Sequence, residues 1–224
     1  MTYAYFHGIL ILLLFWLAFF LGARHYRKEM LWGSLVGAAF GWVNYFFIPD
    51  FWDPPIIFDL TRKIGFEIET TLFMFSWGGI ATVIYELFFQ KRIADVCRCV
   101  VAYPRWFPLI VATVLYGLLA ILTGLSAAYV GIFSLLVATA IMIGYRHDII
   151  PEVLGGAVLF GVFYFLFYEL FVIIHPQFVE TYYKLENLTG VLVMGVPLGE
   201  ILMGITFGAF FSPMYIYIKR KWSS

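Results

Sequence analysis

The chain has 224 residues, 63% of them hydrophobic and 12% charged, with 14 basic against 14 acidic side chains. Soluble domains carry about 25% charge and about 45–50% apolar residues. The composition therefore excludes a soluble enzyme and a disordered chain, and the balanced charge offers no field for a nucleic acid.

A spanning helix needs about 20 apolar residues. Apolar runs bounded by charged or proline-bearing punctuation predict seven spans, over about 5–22, 30–48, 66–89, 106–122, 127–144, 152–174 and 190–218. The first run has no preceding basic residue and no small-residue cleavage motif, so it reads as a retained span rather than a signal peptide. Pro54-Pro55 keep the second connection non-helical, and Pro151 suits the first turn of the sixth helix. The fold class expected is an all-α membrane protein.

Basic residues set the expected orientation. Arg24, Arg27, Lys28, Lys91, Arg92, Arg98, Arg105, Arg146, Lys219, Arg220 and Lys221 fall on one side, against Arg62, Lys63 and Lys184 on the other. The N-terminus is expected outside a cell membrane and the C-terminus in the cytoplasm. Cys97 and Cys99, too close for an unstrained bridge, then stay reduced.

An internal repeat organises these spans. The segment from Gly65 aligns without gaps with that from Gly195, pairing Leu72 with Leu202, Gly78 with Gly208 and Tyr85 with Tyr215. Upstream, Tyr26-Arg27 meets Tyr145-Arg146, and Gly41 falls near Gly161. Two parallel three-helix repeats, residues 1–90 and 126–224, are expected about a linker and fourth helix over 91–125. Gly33, Gly37, Gly41, Gly204 and Gly208 have the spacing of close helix packing.

Ionisable groups inside hydrocarbon are costly, which makes them functional candidates. Glu67 and Glu69 open the third span, Asn44 lies in the second, Glu169 near the end of the sixth and Glu200 well inside the seventh. All five belong to the outer half of the bilayer in this orientation. Glu200 follows Pro197 and Gly199, and no Lys or Arg between 190 and 218 neutralises it. It is therefore expected to be protonated. Glu67 and Glu69 sit where a helix dipole favours charge, by about 0.3–1 kcal/mol. Glu86 and Glu152, at cytoplasmic ends, are expected on a solvated face. No dinucleotide loop, P-loop or nucleophile elbow occurs, and His7, His25, His147 and His175 are scattered, so neither cofactor nor metal is implied.

The glutamate segments resemble the membrane-embedded lycopene cyclase domain, whose hallmark is Pro-x-Glu-Glu opening the third helix of each domain. Pro197-Leu198-Gly199-Glu200 keeps the proline and second glutamate; Glu67-Ile68-Glu69-Thr70 keeps the first glutamate only. Trp52-Asp53 stands where the family carries a Trp-Asp stretch. The resemblance implies a redox-neutral isomerisation of an acyclic carotenoid or other polyprenoid. An acid protonates the terminal double bond, the cation closes a ring, and a base removes a proton. Glu200 is the expected donor and Glu69 the base, with Glu67, Glu169, Asn44 and Pro197 about the substrate. Phe (25) and Tyr (15) suit carbocations. Losing one glutamate of each pair leaves open a non-enzymatic carotenoid- or lipid-binding protein, or a subunit of a larger complex. Homo- and hetero-oligomers both fit. Proton-coupled transport lacks acidic residues continuing through the core.

Overall fold

In the computed structural model, residues 3–48, 51–55, 67–89, 105–185 and 190–219 are described. The chain is mostly helical: α1 Ala4–Gly22, α2 Arg27–Ala39, α3 Asn44–Phe47, α4 Ile68–Phe89, α5 Phe107–Leu122, α6 Ala127–Tyr145, α7 Ile150–Ile174, α8 Phe178–Tyr182 and α9 Leu198–Lys219. Five helices are long and apolar enough to cross a membrane: α1, α4, α6, α7 with its preceding turn from His147, and α9. Helix α5 is apolar but shorter. Exposed apolar side chains recur every three to four residues on α1 (Leu10, Leu14, Leu17, Leu21) and on α7 (Leu154, Val158, Val162, Leu166). Such stripes are what a helix presents to lipid.

Helices α4 and α9 carry the longest runs of buried residues and pack against each other at the centre. Each is 22 residues long, and their starts, Ile68 and Leu198, like their ends, Phe89 and Lys219, are 130 positions apart. Helix α2 lies along α4, and α7 along α9, at backbone contact. A Cβ on Gly33 would fall 2.7 Å from the Gly78 carbonyl oxygen; one on Gly156 would fall 2.8 Å from that of Gly208. The position facing Gly208 as Gly33 faces Gly78 is thus Gly156, three or four residues from the upstream alignment expected at Tyr145-Arg146 and Gly161.

Two expected spans differ in detail. The second ends as a continuous helix at Ala39. A 3-10 turn over Gly41–Val43 and the short α3 follow, where Gly41 lies against Thr71. Broken helices at membrane depth are tolerated where they line a cavity. One freed carbonyl, that of Val43, accepts the Tyr116 hydroxyl at 3.4 Å. The last span begins at Leu198, not 190. Before it, Leu192–Val193 pairs antiparallel with Val196–Pro197 across Met194-Gly195, and both turn residues have positive φ (53° and 91°). That is the sign that tight hairpin turns require and helices forbid.

Glu200 is consequently in the first turn of its helix, not some ten residues inside it. Glu86 and Glu152 are 4% and 0% exposed, so the solvated face expected for them is absent. They belong to a packed end where Arg146, 1% exposed, ion-pairs with Asp148 and donates to the Ile216 carbonyl. Gly65, Cys97 and Cys99 lie outside the described residues.

Candidate functional site

A cavity of about 170 Å³ opens between α4, α9 and the α5–α6 pair, walled on its remaining sides by α1, α7 and the break after α2. Along α9 it runs from Glu200 to Phe211, about 16 Å at the rise of an α-helix. Its deep wall is aromatic: Trp77 packs on Phe207 at 4.4 Å between ring centroids and edge-on to Tyr164 at 4.7 Å, and Phe207 stacks on Phe211 at 4.1 Å. Although Thr113 and Ser134 also line the wall, charged and most polar groups gather at the Glu200 end.

Two carboxyl clusters stand there, one from each half of the chain. Glu200 accepts the Tyr164 hydroxyl at 2.6 Å on Oε2 and the Tyr183 hydroxyl at 2.8 Å on Oε1. Tyr168 in turn donates to Tyr183 at 2.6 Å. Tyr164 and Tyr168 are one turn apart on α7, which aims both hydroxyls the same way. Tyr183 arrives from the connection after α8. Burial first, then the charge of Glu200, pushes its phenol up, so it serves as a neutral donor. Among the described residues, no Lys or Arg ion-pairs with Glu200.

In the other cluster Glu67, 2% exposed, accepts Asn44 Nδ2 and Thr70 Oγ1 on the same oxygen. Tyr5 and Thr70 hydroxyls are 2.9 Å apart, and Trp52 Nε1 donates to Asn44 Oδ1 at 3.1 Å. The two clusters meet over the cavity mouth. Lys184 N donates to Phe51 O and Asp53 N to Tyr182 O, each at 3.0 Å, forming a bridge of Trp52 with Tyr183.

Of the residues expected from sequence, Glu200 and Asn44 line the cavity, while Glu67 backs it through Thr70. Glu69, 1% exposed, follows Glu67 by two residues but does not line it. Glu169 is half-buried on α7, on the side of Val172, which packs on Gly195 of the hairpin. Pro197 is buried as the last hairpin residue and fixes the entry to α9. Tyr164, Tyr168, Tyr183, Tyr5 and Thr70 escaped the sequence reading. Thr70 alone left a signal, since the repeat register places it opposite Glu200.

Fold and cavity define a helical protein with several helices able to cross a membrane and carboxyl groups at one end of an apolar chamber. Residues 126–218 match the protein-family model described as lycopene cyclase. This stretch supplies Glu200, Tyr164 and Tyr183. No curated protein and no solved structure matches the chain.

Proposed function

We propose that this is an integral membrane carotenoid-modifying protein, a lycopene cyclase-type isomerase acting on the acyclic end of a polyene. The observation that carries the reading is Glu200, buried at the head of an aromatic cavity inside the matched family domain. Its proton is transferred to the terminal double bond; the carbocation closes a six-membered ring; a carboxyl of the other half, Glu67 or Glu69, receives the proton lost from the ring. Trp77, Tyr164 and Phe207 offer ring faces to the cation. The apolar, aromatic lining disfavours the water that would capture it. A tyrosine hydroxyl both donates and accepts. Tyr183 can therefore accept from a neutral Glu200 and donate to a charged one, holding the carboxyl in place through both states.

The equal lengths and common 130-residue offset of α4 and α9 support two parallel repeats, residues 1–90 and 126–224, joined by residues 91–125, in a seven-helix arrangement. The asymmetry of basic residues supports an outside N-terminus and a cytoplasmic C-terminus in the cell membrane. The cavity end is then the outer one.

A second reading, carotenoid binding without turnover, is favoured by Gly199 at the motif's first glutamate position. Pigment extraction from a lycopene-producing host expressing the chain separates the two. Cyclised product supports the isomerase; unchanged lycopene co-purifying with the protein supports the binder.

A further inference from the structure

We propose that Thr70 is the proton relay of the first half: its hydroxyl takes the proton leaving the ring and passes its own to Glu67. The inference rests on the isomerase reading and specifies its base.

Thr70 and Glu200 are each the third residue of their helix, at the common offset of α4 and α9, and both line the cavity. One half presents an acid at this position and the other a hydroxyl. Glu67 is buried behind that hydroxyl and is not itself a lining residue. A carboxylate cut off from the substrate can act as base only through a group touching both; Asn44 and Thr70 do, and of the two only the Thr70 hydroxyl can accept one proton while passing on another. Its single hydrogen goes to Glu67 Oε2. Tyr5 must therefore be the donor in the 2.9 Å contact with Thr70 Oγ1. Asn44 donates to the same Glu67 oxygen and holds the carboxyl in line.

The step balances. The ring C–H bond breaks and its electron pair becomes the new C=C. The proton goes to Thr70 Oγ1 as the original Thr70 proton moves to Glu67 Oε2. The cation is neutralised and Glu67 becomes the neutral acid. The isomerisation consumes no net proton, so Glu67 then releases one to water and Glu200 takes one up before the next turnover. Glu69, two residues on and off the cavity wall, has no part in this path.

The test compares T70V, T70S, E67Q and wild type in lycopene-producing cells and in detergent, reading cyclic product, ring-isomer ratio, water-captured product and co-purified lycopene. T70V and E67Q should lower cyclic product about 10²-fold, the scale of a lost acid–base group. They should divert the cation to a changed isomer ratio or a hydroxylated ring while lycopene still co-purifies. T70S, which keeps the hydroxyl, should restore cyclic product. Wild-type yield and isomer ratio in T70V overturn the relay and leave the Glu200 reading standing. Parallel loss of lycopene and of folding in T70V, not mended by T70S, marks Thr70 as structural and overturns it too. If T70V fails to fold while T70S does not, full activity of E67Q decides against the relay. No product from wild type overturns the relay together with the isomerase reading.

Discussion

Trp52 and Tyr183 are paired across the cavity mouth, by a backbone bridge and with ring centroids 5.7 Å apart. Each is also tied to one carboxyl: Trp52 through Asn44 to Glu67, Tyr183 directly to Glu200. A single clasp in the chamber wall therefore ties the positions of both acids together.

Tyr183→Phe keeps the ring contacts and removes the bonds to Glu200 and Tyr168. A hydrogen bond to a charged group is worth about 1.5–3 kcal/mol. Turnover should fall about 10–100-fold with lycopene retention unchanged. Loss of bound lycopene instead would make Tyr183 a wall of the chamber and nothing more.

The N-terminal end of α1 and the C-terminal end of α7 meet at His7 and His175, whose rings stack at 5.4 Å. Burial first, then the charge of His7, lowers the His175 pKa below its usual value near 6.5. A lowered folded-state value means that the unfolded chain takes up the proton first. The contribution is full above about pH 6.5 and is lost as pH falls below it. Thermal unfolding in detergent should show stability dropping between about pH 7.5 and 5.5, and His7→Gln should flatten that slope. An equal slope in the variant would exclude the pair as its source.

Gly33 and Gly156 each face a carbonyl oxygen of the neighbouring helix. Alanine at either puts a Cβ against backbone oxygen, and overpacking typically costs about 1–3 kcal/mol. Gly33→Ala and Gly156→Ala should each lower the unfolding midpoint. Gly117→Ala, where nothing lies within 4 Å, should not lower it.

The expected topology places the Trp52 and Tyr183 connections outside. Tyr183 is buried, so the accessible probe is the exposed Lys184. An impermeant thiol reagent on intact cells should label Lys184→Cys and leave Cys97 and Cys99 unlabelled. Labelling of the native cysteines would reverse the orientation.

Helix existence was legible because apolar runs of membrane length admit few alternatives. Five of the seven expected spans became helices long and apolar enough to cross. Helix ends were less legible. The last span read as starting at 190 because Val191, Leu192, Val193 and Met194 are as apolar as a helix; only the positive φ at Gly190, Met194 and Gly195 excludes them. The break at Gly41 was hidden for a related reason, since the residue it lies against, Thr71, belongs to another helix. Glu200 and Asn44 stood out as polar groups in apolar runs. The tyrosines did not, because a hydropathy pattern cannot tell a hydroxyl aimed at a carboxyl from an aromatic core residue.

The most direct measurement is turnover by Glu200→Gln in a lycopene-producing host, with folding and co-purified pigment followed in the same preparations. The amide keeps the shape and can still accept the Tyr164 and Tyr183 hydroxyls, but it delivers no proton. Glu200→Gln should yield folded protein that retains lycopene and forms cyclic product about 10²–10⁴-fold more slowly. Full cyclising activity in Glu200→Gln would contradict the donor role of Glu200.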